Sequence, residues 1–222
     1  MNPAFDLASV IGTERMSQID RDIIIKSLSK GDLLFFEGKA PTGVYYLHAG
    51  KFKLFTTDAQ GREQIVHLAK PGDLMGYRAV LGSDTYSCTA EAIEHSEVWF
   101  IPKDIFLHLI EENAALSHAV IKLLTAELRH AEHHLAGLAR KPVKSRLAEA
   151  LLLLADTYGF ENDGQTLAVQ LTREEIAGLV GTATETAIRL IQQLKDDGML
   201  ATDNRKTRLI DVPALRRLAD EV

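Results

Sequence analysis

Hydrophobic positions change their spacing near the middle of the chain. Residues 31–102 contain short β-branched and aromatic runs separated by glycine-containing turns, for example "GVYYLHAGKFKLF" and "EVWFIP". Short strands with frequent turn signals are typical of a β-barrel or sandwich. From Lys103 onward, apolar residues recur at three- and four-residue steps, which indicates helices. The pattern therefore predicts an α+β protein in which the β-structure comes first.

A long helix is predicted across residues 113–140, which contain no proline and many good helix formers. Its apolar residues form one narrow stripe. A long helix with such a stripe often pairs with a second copy of itself, and the alternative is a helix buried in the core of its own chain. We expect the dimer contact to use Leu116, Val120, Leu124, Leu128, Ala131 and Leu135.

Two short helical patterns follow in "LTREEIAGLVGTATETAIRLIQQLKDDGML", residues 171–200. Thr172, followed three residues later by a glutamate, forms a capping box and predicts the start of the first helix. Gly181 permits a sharp turn, and Thr182 is expected to cap the second helix. Asp203-Asn204 predicts the turn of a β-hairpin. Together these elements predict a winged helix-turn-helix.

The second helix has an outer face rich in hydroxyl groups, with one acid and one base. Arginine can donate two hydrogen bonds to guanine, and glutamate can accept one from cytosine, so this face suits the reading of DNA bases. Neighbouring hydroxyls and cations suit phosphate contacts. Spacing alone leaves a solvated helical hairpin as the alternative. The predicted DNA-binding residues are Thr172, Arg173, Thr182, Thr184, Glu185, Thr186, Arg189, Arg205, Lys206 and Arg208.

Bulk composition fits a folded protein and restricts how it binds DNA. The 222 residues are 46% hydrophobic and 25% charged, which excludes a disordered chain. A net charge of −6 disfavours a general nucleic-acid coat, whereas residues 204–217 contain five Lys/Arg and one acid. The chain has one cysteine, no apolar run of ~20 residues and no signal-peptide pattern. We therefore expect a cytoplasmic protein that does not associate with membranes.

Taken together, these segments resemble the CRP/FNR family of bacterial transcription regulators. "GDLLFFEGKAPTGVYYLHAGKFKLF" is similar to the family's opening barrel strands, "PVKSRLAEALLLLA" to the helix after its hinge, and the winged-helix segment to its DNA-binding helices. The resemblance implies three parts. They are a cyclic-nucleotide-binding-like jelly-roll barrel over residues 1–112, a dimerisation helix over residues 113–140 and a winged helix-turn-helix over residues 141–222.

The resemblance also implies partners. A homodimer would bind a palindromic promoter site in double-stranded DNA, with RNA polymerase as a further partner. A small-molecule effector in the barrel, of unknown identity, would favour the dimer arrangement that binds DNA. Some members of the family bind DNA constitutively, so a chain without any effector is also consistent with the resemblance.

The effector site departs from the cyclic-AMP-binding branch. That branch carries Gly-Glu for the ribose and Arg-Ser for the phosphate, where this chain has Gly76-Tyr77 and Tyr86-Ser87. A buried phosphate without its arginine loses charge-assisted hydrogen bonds, so ordinary cyclic-AMP binding is not expected. Arg78 is a possible substitute, which keeps a cyclic-nucleotide-responsive regulator as the alternative. The candidate pocket comprises Gly76, Tyr77, Arg78, Tyr86, Ser87, Glu127 and Ala131.

The recognition helix keeps part of the family's Arg-Glu-Thr…Arg set. Here it is Thr184-Glu185-Thr186 followed by Arg189, so a threonine replaces the first arginine. The FNR branch also replaces that arginine, and its half-site has a TTGAT-like core. We therefore expect Glu185 and Arg189 to read a G·C pair.

Metal and enzyme functions are weaker alternatives. Cys88 alone cannot hold an iron–sulfur cluster. His130 and His134, four residues apart, have the spacing for a shared metal but lack a third ligand. Small barrels also host metal-dependent enzymes, which need a histidine-rich triad, but His48, His67 and His95 are isolated. We expect no cofactor, no metal and no catalytic activity.

Overall fold

The structure is a computed structural model that describes residues 10–12, 21–82 and 84–221, leaving aside the side chains of His134, Leu138 and Ala139. The N-terminal pattern that argues against a signal peptide lies mostly outside these residues. The strands are β1 Ile24–Leu28, β2 Leu33–Phe35, β3 Gly43–Ala49, β4 Phe52–Thr57, β5 Glu63–Ala69, β6 Leu74–Met75, β7 Thr89–Ala92, β8 Ser96–Pro102, β9 Leu200–Asp203 and β10 Lys206–Leu209. The helices are α1 Tyr77–Gly82, α2 Lys103–Glu112, α3 Ala114–Arg140, α4 Val143–Tyr158, α5 Arg173–Val180, α6 Thr184–Asp196 and α7 Val212–Ala219.

Strands β1–β8 form two four-stranded sheets, in the orders β1-β8-β3-β6 and β2-β7-β4-β5. Apart from β4 and β5, which pair within one sheet, strands that follow one another in sequence lie in different sheets, as in a jelly roll. In β8, buried and partly exposed residues largely alternate because successive side chains point to opposite faces. The inward side chains form a continuous core that includes Leu47, Phe52 and Val98. This arrangement confirms the predicted barrel.

The first half of α3 belongs to the core of its own chain. Leu116 and Val120 are almost fully buried, in one cluster with Val44, Ile101 and Phe106. The prediction that Leu116 and Val120 form a dimer contact is therefore wrong. A helical stripe shows which residues share a face, but it cannot show whether the chain itself or a second copy covers that face.

The described residues separate into two compact units. One contains residues 57–65 and 130–221, and the other contains the remaining described residues. Helix α3 contributes residues to both units, so the boundaries at 112 and 140 stay a prediction. No described helix combines the length and the apolar composition needed to cross a membrane.

In the C-terminal unit, α4 packs against α5, α6 and α7. Helix α3 ends at Arg140 and α4 begins at Val143, with Pro142 as its N-cap residue. A proline suits a helix start because the first amides have no partner within the helix. The hairpin β9–β10 follows α6 and is the wing. It turns at Asn204-Arg205 rather than at the predicted Asp203-Asn204, and Asn204 adopts a left-handed conformation with φ 53°.

We expect Leu194→Ala to destabilise the C-terminal unit by about 2–5 kcal/mol, since Leu194 is fully buried and its removal leaves a cavity. Ile188→Ala is the matched control because Ile188 lies on the same helix but is 49% exposed. Urea unfolding followed by circular dichroism compares the two variants. Equal losses of stability would contradict the burial of Leu194 and the exposure of Ile188.

Candidate DNA-binding face and effector pocket

The start of α5 is fixed by the predicted capping box. The Thr172 hydroxyl oxygen accepts a hydrogen bond from the Glu175 amide at 3.1 Å, and the Glu175 carboxylate accepts one from the Thr172 amide at 2.6 Å. Each bond satisfies an amide that the helix cannot pair internally. Gly181 then ends the helix in the left-handed region, with φ 71° and ψ 53°. A glycine adopts this conformation without strain, so the chain reverses sharply into α6.

Helix α6 begins one residue later than the sequence suggested. Its N-cap residue is Ala183, which has no side chain able to cap, and Thr182 lies before it. The predicted capping role of Thr182 is therefore wrong. The Thr182 amide instead donates to the Ala177 carbonyl, which completes the end of α5. Thr182 belongs to the turn between the helices, where its side chain is partly exposed.

Helix α6 has two opposite faces. Ala187, Leu190, Ile191 and Leu194 are buried. This spacing of three, one and three residues places their side chains on one side of a helix. Glu185, Ile188, Arg189 and Gln192 have the same spacing and are exposed. The second set therefore forms an outward stripe along α6, which we call the reading face.

Glu185 and Arg189 have no side-chain partner among the described residues, so both are available to a ligand. They lie one helical turn apart, yet neither forms a hydrogen bond or an ion pair with a described residue. An unpaired carboxylate next to an unpaired guanidinium presents one acceptor and a fork of donors to the same side. Thr184 and Thr186 flank Glu185 and are partly exposed.

The cations of the wing differ from one another. Lys206 Nζ lies 2.9 Å from Glu161 Oε2. Arg208 donates to the Gln165 side chain at 2.8 Å and lies 3.8 Å from Asp163 Oδ2. Both cations are therefore compensated by the loop before α5, whereas Arg205 at the hairpin tip is exposed and has no partner among the residues described.

Asp163 itself is held in place by three donors. Its carboxylate accepts from the Thr166 hydroxyl at 2.6 Å, from the Thr166 amide and from the Gln165 amide. These hydrogen bonds hold the pKa of Asp163 down to about 2, with a smaller effect of Arg208. Asp163, next to the wing, therefore keeps its negative charge at every physiological pH.

In the barrel unit, Arg78 points towards the long helix. Arg78 Nη1 lies 3.3 Å from Glu127 Oε2. Tyr77 is buried beside them, and its hydroxyl makes no hydrogen bond of good geometry with any described residue. Burial, followed by the charge of Glu127, raises the pKa of the Tyr77 hydroxyl, which therefore stays protonated. The predicted neighbours Tyr77, Arg78 and Glu127 do meet.

Two carboxyl groups already occupy this corner of the barrel. Asp73 is mostly buried there, and burial raises its pKa, with a small additional effect of Glu127. Arg78, the one cation that the sequence offered for a phosphate, is paired with Glu127. A phosphate would therefore have to compete with a carboxylate that the chain itself supplies.

The other predicted pocket residues have different positions. Tyr86 is in the barrel core, where its ring stacks on Phe35 with centroids 4.2 Å apart. Gly76 has φ +79°, and a Cβ there would lie 3.1 Å from the Tyr86 ring. Gly76 and Tyr86 therefore pack closely against each other. Ser87 and Ala131 are exposed. The Tyr86 ring already packs against an aromatic neighbour, and its role in an effector pocket stays a prediction.

The described cysteine and histidine side chains form no metal cluster. Cys88 is buried, and burial raises the pKa of its thiol, so it matches the inert thiol of the barrel wall. Within the described residues, no three histidine, cysteine or carboxylate side chains are grouped so as to hold a metal ion. The side chain of His134 lies outside that description.

Comparisons with known proteins agree with this organisation. The family described as "Cyclic nucleotide-binding domain" matches residues 25–113, and "Crp-like helix-turn-helix domain" matches residues 145–218. The cyclic AMP receptor protein of Thermus thermophilus is 30% identical over 171 residues, covering 77% of this chain and 76% of that protein. The fumarate and nitrate reduction regulatory protein of Escherichia coli is 28% identical, covering 94% and 84%. The structure of FixK2 from Bradyrhizobium japonicum has a TM-score of 0.79 at 25% identity, covering 90% and 98%.

A β-barrel followed by a long helix and a winged helix-turn-helix defines a DNA-binding transcription regulator. The chain belongs to the CRP/FNR family of such regulators. Both the fold predicted from the sequence and the family resemblance are thereby confirmed.

We expect Arg78 and Glu127 to be energetically coupled by about 0.5–1 kcal/mol, because both side chains are only partly buried and solvent screens their attraction. A double-mutant cycle with Arg78→Ala, Glu127→Ala and the double variant, measured by urea unfolding, gives this value. Additive effects of the two single changes would show that the pair is not formed in solution.

Proposed function

We propose that this chain is a cytoplasmic homodimeric regulator that reads a palindromic DNA site with the reading face of α6. Glu185 and Arg189 read a G·C pair in each half-site, the glutamate by accepting from cytosine N4 and the arginine by donating to guanine O6 and N7. The observation that carries this proposal is that both side chains are exposed and lack partners among the described residues. A carboxylate facing phosphates costs free energy unless a base satisfies it.

Phosphate contacts come from residues around the reading face. Arg205 at the wing tip has no partner among the described residues and takes the strongest of them. Thr172, Arg173, Thr182, Thr184 and Thr186 supply hydroxyl and guanidinium donors at the two helix starts. Lys206 and Arg208 contribute less because Glu161, Asp163 and Gln165 already engage them.

The second half of α3 forms the dimer contact. Leu124, Leu128 and Leu135 are exposed there, with 61% and 66% of the side chains of Leu128 and Leu135 open to solvent, and Ala131 lies between them. Large apolar side chains in a regular stripe are covered most simply by the same stripe of a second copy. A two-fold dimer then places two copies of α6 on one palindrome.

The effector of the barrel is something other than cyclic AMP, or there is none. Support comes from Glu127, which already pairs with Arg78. A cyclic-nucleotide-responsive regulator remains the second candidate because a relative 30% identical is named a cyclic AMP receptor protein. RNA polymerase is a further partner if the protein activates transcription, and no catalytic step is assigned to the chain.

Selection from a random palindromic DNA library tests the function. An effector only shifts an existing equilibrium, so the ligand-free protein at micromolar concentration should retain some binding-competent dimers. We expect a TTG…CAA-like palindrome to be enriched equally with and without cyclic AMP. Enrichment only with cyclic AMP would favour the second candidate. Failure to enrich any palindrome would overturn the proposed function.

Arg189→Ala is expected to weaken binding by about 1–3 kcal/mol per half-site and to relax the preference at the G·C pair. Fluorescence anisotropy on the selected duplex and on a duplex with that pair changed measures both effects. If the variant loses the same affinity on both duplexes, Arg189 is a phosphate contact rather than a base contact.

Arg205→Ala is expected to lower affinity about equally on all sequences and to reduce the salt dependence of binding by about one phosphate contact per half-site. Lys206→Ala is the matched control in the same hairpin, and its effect should be clearly smaller because Glu161 already compensates that cation. Titration of the selected duplex with each variant at several salt concentrations gives the slope of affinity against salt for Arg205→Ala and for Lys206→Ala. Equal slopes for the two variants would show that DNA displaces Glu161 from Lys206.

A further inference from the structure

Ile188 is an apolar residue in the middle of the polar reading face. Its side chain is 49% exposed, between Glu185 one turn before it and Gln192 one turn after it. The other four apolar residues of α6 are buried on the opposite side. They are Ala187, Leu190, Ile191 and Leu194. The packing of α6 is therefore complete without Ile188.

Local structure does not require an isoleucine at this position. A β-branched side chain loses rotamer freedom in a helix, so alanine or glutamine would favour α6 more. Single exposed apolar residues are common on protein surfaces and need no function. What distinguishes Ile188 is its position, directly beside Arg189 on the face that the proposed function turns towards the bases.

We infer that Ile188 determines specificity by packing against the C5 methyl group of a thymine next to the G·C pair. Thymine is the only standard base that presents a methyl group in the major groove. From Glu185 to Ile188 the helix advances about 4.5 Å, which is little more than one base-pair step of about 3.4 Å. The thymine therefore lies within two base pairs of the pair read by Glu185 and Arg189.

The contact also works against other bases. An isoleucine offers no donor or acceptor, so a cytosine amino group facing it would lose water without gaining a hydrogen bond. The same side chain therefore attracts thymine through its methyl group and disfavours cytosine. This inference rests on the proposed function, since it needs α6 to lie in the major groove.

Replacing single thymines of the selected site by deoxyuridine tests the inference. Deoxyuridine keeps every hydrogen-bonding group of thymine and removes only the methyl group. For the wild-type protein, one thymine per half-site should respond, with affinity falling about fourfold per half-site, as expected for the loss of one buried methyl. Ile188→Ser should bind both duplexes equally, whereas Ile188→Val should retain most of the difference.

Ile210→Ser is the matched control, because Ile210 is 45% exposed in the same unit but lies after β10 at the base of the wing. It should keep the full preference for thymine. Equal wild-type affinity for all thymine and deoxyuridine duplexes, with the G·C preference intact, would overturn the inference and leave the proposed function standing. A preference that persists in Ile188→Ser would also overturn it. Failure of the preceding selection would overturn both.

Discussion

Burial of one apolar stripe on α6 determines what this protein can present to DNA. The buried stripe fixes the rotation of the helix, because exposing any of its side chains to water loses the free energy of burial. The stripe consists of Ala187, Leu190, Ile191 and Leu194. Once the rotation is fixed, the direction of every other side chain on α6 is fixed with it. The left-handed turn at Gly181 sets where the helix begins, and the stripe sets which way it faces.

Local features were predictable from the sequence because they depend on residues a few positions apart. The capping box of Thr172, the turn at Gly181 and the buried stripe of α6 all follow from short spacings. The start of α6 lies one residue after the start that Thr182, a good capping residue, predicts, because the N-cap position falls on Ala183. A preferred residue type is a weaker constraint than the backbone path that precedes it.

Features that join distant parts of the chain were not predictable. The direction of Arg78 depends on Glu127, which is 49 positions away and reaches it only when the barrel and the long helix are folded. Leu116 and Val120 share a stripe with Leu124 and Leu128, but the barrel core covers the first two and leaves the others exposed. Periodicity marks an apolar face equally well whatever covers it, so the division along α3 becomes visible only in three dimensions.

The compensated cations of the wing have a consequence for how such a regulator searches a genome. Contacts with random sequence depend almost wholly on cations that displace counterions from the backbone. Lys206 and Arg208 are paired with Glu161 and Asp163, so under the proposed function the wing offers little more than Arg205 to an arbitrary stretch of duplex. Encounters with irrelevant DNA are then brief, and a small number of molecules per cell can sample many positions before one of them stays.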